Sequence, residues 1–319
     1  MKITLKSFIF LSLAIVLCGC QSHHFRRVSS KALTQEEIIV QAKNSNGPVT
    51  VFVHGTLPIG VNLIIRAFDS PLGFVPACSL RKFIHGRIPH FFYQEDPYQY
   101  PLDSFYVYGW NGSLSFAARR KASHDLYRIL KAFQHRPITV IGHSHGGNVA
   151  LNLAEAARAH SDTTFKIDRL VLLAAPVLTA TAHYVHSPVF KKIYSFYSLG
   201  DSTQIKDPQR LYVEMRNYPQ RIPLFTGRRF GPAPKIIERR VLYNSRNIQH
   251  LDFILIPFIQ ALPRILNLLD RTPSAYEQDP CYQLIVNVPK NRRAPIEQLI
   301  KVINAPTKDS CRLLEAPKQ

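Results

Sequence analysis

Ile138-Thr139-Val140-Ile141-Gly142-His143-Ser144-His145-Gly146-Gly147 constrains this chain more than any other stretch. Its first four residues are all β-branched and read as a strand, while the Ala/Leu-rich run 148–160 reads as a helix. Only the G-x-S-x-G residues remain to turn the chain between them. Small residues at Gly142 and Gly146 leave room for a sharp, strained bend that exposes the Ser144 hydroxyl at the strand end. Gly147 lets the following helix lie close to the sheet. A bare G-x-S-x-G is common by chance; the strand before it and the helix after it make Ser144 a candidate nucleophile.

The same alternation runs through the middle of the chain. Residues 49–53, 105–108, 170–173, 193–197 and 240–243 are further strand-like runs. Residues 116–133 read as a helix, and 251–269 as a long apolar helix interrupted by Pro257 and Pro263. Strands separated by helices need crossover connections, so the expected fold is α/β, with a mostly parallel sheet and helices on both faces. Two excursions exceed what a crossover needs. Residues 57–103 are rich in aromatics and prolines and read either as a lid or acyl-binding wall or as a surface insertion. Residues 202–235 are basic and also carry prolines. Beyond Arg271, a strand-like run at 282–288 and a helical run at 296–303 suggest a small appended element.

Acyl-transfer chemistry needs donors for an oxyanion, a general base and an acid to orient it. The strand at Val51-Phe52-Val53 enters His54-Gly55-Thr56, a loop whose backbone N–H groups could serve as donors. Thr56 is the expected donor, with Leu57 as its alternative, and the His145 amide is the second. His54 reads as a structural residue that ties the loop down. Behind such a strand-turn-helix the order is nucleophile, acid, histidine. Of the later histidines, His160 sits at a helix end and His183 and His186 lie in a loop. His250 follows a strand and precedes the long apolar helix, as a general base should. Asp201, in a Gly-Asp pair after a strand, is the expected acid, ahead of Asp207, Asp252 and Asp168. His143 and His145 flank the nucleophile on opposite sides of the turn, which suits packing or a substrate wall better than a metal.

The HGT loop, the GHSHGG turn and the late Gly-Asp and His resemble the α/β-hydrolase superfamily, on its lipase and esterase side, over residues 47–271. Gly109-Trp110-Asn111-Gly112, followed by Arg119 on an amphipathic helix, also looks like bacterial lipase-like hydrolases. The resemblance implies an acyl-enzyme on Ser144, formed on lipid or other acyl esters without metal or organic cofactor. An acyltransferase with the same triad and a non-catalytic envelope lipoprotein are the alternative readings. The family's first two strands have no counterpart before Val49. That leaves a smaller sheet starting at the family's third strand, in spatial order 4-3-5-6-7-8.

The first twenty residues read as a targeting segment. Lys2 and Lys6 precede an apolar run, 8–17, that is short for a membrane span, and Leu17-Cys18-Gly19-Cys20 resembles a bacterial lipobox. Residues 1–19 are then a signal peptide, Cys20 the lipidated residue and 20–46 a tether. The hydrolase core is 47–271, the appended segment 272–319, and the location the cell envelope, facing periplasm or exterior. An ordinary cleaved signal peptide and an uncleaved anchor are alternatives. Forty Lys and Arg against 21 Asp and Glu give a formal charge of +19, falling to +17 without Lys2 and Lys6. That balance favours an anionic membrane surface as partner. No nucleic-acid-binding motif accompanies the basic clusters at 119–121, 228–229, 239–240 and 292–293, which also read as solvated surface. If exported, Cys281 could pair with Cys311 and leave Cys78 free; three unpaired thiols are the alternative.

Overall fold

The computed structural model describes residues 31–56, 72–80, 84–205, 211–215, 224–255, 257–271, 283–288 and 300–303. The expected lipobox with Cys20, both C-terminal cysteines, Leu57 and Asp207 lie outside them. Cys78 is an exposed free thiol.

Helix α1 (Gln35–Asn44) starts at a capping box: the Glu37 amide donates to Thr34 Oγ1 at 3.2 Å, and the Thr34 amide to Glu37 Oε2 at 2.7 Å. Ile38 and Ala42, one turn apart, are buried in the same core cluster as Val49 and Val51. The stretch read as a tether through residue 46 therefore joins the body at Thr34, because its apolar stripe has the sheet to pack against.

Strand β1 (Val49–Val53) is followed by β2 (Gly73–Pro76), helix α2 (Ile84–Glu95), β3 (Phe105–Gly109) and helix α3 (Phe116–Lys131). Next come β4 (Ile138–His143) and two short helices, α4 (His145–Leu151) and α5 (Leu153–Ala159), where the sequence suggested one. The chain continues through β5 (Ile167–Leu173), β6 (Val177–Leu178), β7 (Phe190–Tyr197), β8 (Phe225–Gly227), β9 (Ile236–Tyr243) and β10 (Arg246–Asn247). It closes with helix α6 (Phe258–Arg271) and strands β11 (Gln283–Val288) and β12 (Ile300–Ile303). Among the described residues β6 and β8 form a separate antiparallel pair, and the remaining strands form one sheet in the order β12-β11-β9-β7-β5-β4-β1-β3-β2, with short β10 paired antiparallel to β9 off this path. Within it β3-β1-β4-β5-β7-β9 is parallel throughout, the order expected of a core that starts at the family's third strand.

The sheet is nevertheless not small. Bare edges would expose a row of unpaired N–H and C=O groups. On one side β2 pairs antiparallel with β3, and on the other β11 extends β9 in parallel and is itself covered by antiparallel β12. Residues 300–303, read as helical, are thus an edge strand. Pairing partners were available at the sheet edge, and local apolar spacing could not reveal them.

Side chains alternate across the sheet. Val49, Val51 and Val53 of β1 face α1, α3, α4 and α5, while Phe52 faces α2 and α6. Helix α6 is shorter than the apolar run suggested, because residues His250–Phe253 form a separate 3-10 turn. Its buried Phe258, Ile259, Leu262, Ile265, Leu266 and Leu269 keep a helical period. The described part of the 57–103 excursion is neither lid nor surface insertion. It supplies edge strand β2 and the α2 layer beneath the sheet, with Ile88, Phe92 and Tyr100 fully buried. Phe92 meets Tyr100 edge-on at 4.8 Å and Phe105 at 5.7 Å between ring centroids. Phe92→Ala should therefore lower unfolding stability by roughly 3–5 kcal/mol, read from the urea midpoint, where a lid residue would lose almost nothing.

Candidate active site

Ser144 stands between β4 and α4 with φ 53° and ψ −129°, a conformation that costs a non-glycine residue of order 1–3 kcal/mol. Hydrogen bonds on both sides hold it: the Ser144 amide donates to the Leu173 carbonyl of β5 at 2.8 Å, and the Gly147 amide to the Ser144 carbonyl at 3.0 Å. Gly146 explains why the turn needs glycine there. A Cβ at that position would lie 2.3 Å from the Val53 carbonyl oxygen and 2.5 Å from that of His54. Gly55 approaches from the other side, where a Cβ would lie 2.7 Å from Ser144 Cβ and 3.3 Å from its Oγ. The HGT loop therefore lies directly against Ser144. The Thr56 hydroxyl beside it is buried without a hydrogen-bond partner among the described residues.

Asp201 and His250 meet although 49 residues separate them. His250 Nδ1 donates to Asp201 Oδ2 at 2.7 Å, and Asp201 is fully buried. A carboxylate oxygen accepts, so the neutral tautomer that makes this bond carries its proton on Nδ1 and leaves Nε2 bare. Asp201 is itself held in place. Its Oδ1 accepts from the Gln204 amide at 3.1 Å, and its carbonyl accepts from Arg228 Nε at 3.2 Å and Nη2 at 3.0 Å. Gln204 reaches on to the Ala175 carbonyl at 2.8 Å. Arg228 and Gln204 went unnoticed in the sequence, where Arg228 belonged to a basic cluster read as surface. Of the rival acids, Asp252 accepts from the Gln249 amide at 2.7 Å and closes the turn carrying His250. Asp168 accepts from the Ile138 amide at 2.8 Å, at the opposite end of β4 from Ser144.

Four further histidines surround this pair, all buried. His54 Nδ1 donates to the Gly55 carbonyl at 2.7 Å, while its Nε2 accepts from the Trp110 amide at 3.0 Å. The Trp110 indole returns a bond to the His54 carbonyl at 2.8 Å. Those partners admit a single neutral tautomer, and burial pushes the His54 pKa down to about 4. This is the loop-fastening role expected of His54. His143 Nε2 donates to the His250 carbonyl at 3.1 Å, with its pKa lowered to about 3 by burial and then by the charge of His250. It thereby ties the strand that ends at Ser144 to the backbone of His250, a positioning role beyond the packing expected of it. His85 stacks on His54 at 6.0 Å and is held neutral chiefly by burial; only tertiary packing reveals it. His145, expected to lend its amide, sets its ring Nε2 3.3 Å from the Tyr212 hydroxyl. Burial first, and then the charge of Arg119, hold its pKa well below the ordinary value.

Residues 114–201, from the approach to α3 through Asp201, match a family model described as alpha/beta hydrolase fold. No curated protein matches the chain. Solved structures similar to it include a predicted CIB-like hydrolase from Thermoplasma acidophilum, at 13% identity and TM-score 0.36, covering 70% of this chain and 88% of that one. EstE1, a thermostable carboxylesterase cloned from a metagenomic library, is 13% identical with TM-score 0.36, covering 71% and 79%. An esterase from Pyrobaculum calidifontis is 12% identical with TM-score 0.31, covering 77% and 68%. The chain has an α/β-hydrolase fold, with a mostly parallel central sheet flanked by helices.

The depressed His54 pKa sets a pH dependence. The unfolded chain takes up a proton near pH 6.5 that the folded chain refuses down to about pH 4. This contribution to stability is complete above about pH 6.5 and is lost as pH falls toward about 4. Urea midpoints measured across that window should fall with pH, and His54→Gln should flatten the slope by about one proton.

Proposed function

We propose that this chain is a serine hydrolase that cleaves carboxylic esters through an acyl-enzyme on Ser144, with Asp201 and His250 completing the triad. The observation that carries the reading is the 2.7 Å bond from His250 Nδ1 to buried Asp201, on a histidine whose backbone is tied to the strand ending at Ser144. In this reading His250 Nε2 takes the Ser144 proton as Oγ attacks the acyl carbonyl. Asp201 stabilises the imidazolium and keeps its tautomer. The amides of Thr56 and His145 receive the oxyanion, and the unpartnered Thr56 hydroxyl can add a third donor. His250 then returns the proton to the departing alcohol. Water, deprotonated by the same imidazole, releases the acid and restores Ser144. No step calls for a metal or an organic cofactor.

The substrate class in this proposal is a lipid or other acyl ester. It is supported by the lipobox-like Cys20 segment and by the surplus of basic residues, which together would hold the enzyme at an anionic membrane surface in the cell envelope. Among the described residues no helix is long and apolar enough to cross a membrane. The anchor in this proposal is a lipid on Cys20, read from the lipobox-like segment.

A fluorophosphonate probe should label the wild type and leave Ser144→Ala unlabelled. Asp201→Asn and His250→Gln should each lower kcat on p-nitrophenyl esters by about 10³–10⁴-fold. A folded wild type that neither reacts with the probe nor hydrolyses any member of an ester chain-length series would refute the proposal.

A further inference from the structure

Arg119 lies on α3, one turn in from its start, and is 1% exposed. Its guanidinium carbon stands 5.0 Å from the Phe116 ring centroid and 4.9 Å from that of Tyr212. Aromatic faces attract a cation, but they do not accept the N–H bonds that radiate in the guanidinium plane. Nη1 and Nη2 are buried with no hydrogen-bond partner among the described residues. Glu214, two residues beyond Tyr212, does not pair with them. Its Oε1 accepts from Ser115 Oγ at 2.6 Å and from the Ala117 amide at 2.9 Å, closing the start of α3. The charge is thus buried and fixed; the Tyr212 hydroxyl and the more distant Glu214 favour it, but among the described residues no carboxylate bonds Nη1 or Nη2, an arrangement that costs stability unless an anion completes it.

Its position says where that anion would come from. Tyr212, beside the guanidinium, also meets His145 through its hydroxyl, and His145 directly follows Ser144. His145 Nδ1 is a second buried polar atom without a partner in this cluster. The segment bearing Tyr212 is tied to the start of α3 by the Val213 amide, which donates to the Leu114 carbonyl at 3.0 Å.

We propose that Arg119 recognises an acidic group, a carboxylate or a phosphate, carried by the ester that Ser144 attacks; this rests on the reading of Ser144 given above. A planar guanidinium with two free N–H edges fits either group bidentately, where a lysine would offer a point charge.

The test compares two esters with the same five-carbon acyl chain, mono-4-nitrophenyl glutarate and 4-nitrophenyl valerate. Wild type should favour the acidic ester in kcat/KM by about tenfold or more. In Arg119→Met the ratio should fall to near one, in Arg119→Lys to an intermediate value, and in Arg128→Met, an exposed charge on the same helix, it should persist. Arg119→Met should also melt no lower than wild type, because it removes an unpaired buried charge. Vesicles of phosphatidylglycerol and of phosphatidylcholine separate the sources. Faster fatty-acid release from the former, lost in Arg119→Met, identifies a lipid headgroup; equal release alongside a glutarate preference identifies a small soluble acid. A ratio near one in wild type, an equal loss in Arg128→Met, or a large drop in melting temperature for Arg119→Met overturns the proposal. Should the wild type hydrolyse neither ester, calorimetry with glutarate and inorganic phosphate decides. Binding to Ser144→Ala, and none to Ser144→Ala/Arg119→Met, sustains the anion site while the hydrolase reading fails; no binding to either overturns both.

Discussion

Gly146 lies against the last carbonyls of β1, and this close approach sets the geometry on which the site depends. Parallel strands β1 and β4 run side by side in register, Val53 opposite Gly142, so their carboxyl ends open at the same level. The chain leaving β4 must turn sharply there to bring α4 back onto the sheet. It does so over the Val53 and His54 carbonyls, with Ser144 driven to positive φ at the crest. The HGT loop leaving β1 passes close against Ser144, where a Cβ on Gly55 would lie 2.7 Å from Ser144 Cβ. The strained turn at Ser144 and the loop expected to face it are therefore consequences of one packing arrangement.

Burial overrides net charge in this neighbourhood. The chain is strongly basic, yet His54, His143 and His145 have depressed pKa values because desolvation disfavours their charged forms. Neutrality has a structural use. His54 can bridge Gly55 and Trp110 only with one nitrogen protonated and the other bare, and a second proton would break the Trp110 bond. The carboxylate of Asp201, by contrast, is buried but bonded to His250 and Gln204, with its backbone clamped by Arg228. Arg119 is the most enclosed arginine among the described residues, and its Nη1 and Nη2 are bonded to no described group.

Hydrogen bonds from basic side chains change the meaning of the surplus charge. Arg119, Arg228 and Arg239 belong to clusters that look like solvated surface in the sequence. Arg119 and Arg239 are buried, and Arg228 holds the Asp201 loop. A basic residue in a one-dimensional reading carries charge but no direction, and direction decides whether it solvates a surface or fixes a loop.

The sequence by itself determined what depends on near neighbours. β-branched runs, the glycines of the turn and the spacing of apolar helix residues act over a few positions, so the strands, the elbow at Ser144 and the α/β class were legible. The candidates Asp201 and His250 were legible too, from their places after successive strands. The tertiary structure alone decided which distant loops meet: Asp201 with His250, Tyr212 with His145, and β2, β11 and β12 at the sheet edges. It also showed that α1 and α2 belong to the packed body. Pairings across 49 or 67 residues depend on chain crossings that no local pattern encodes. Ser144 was visible because its strain is local; the burial of Arg119 was not, because burial is a property of the whole fold.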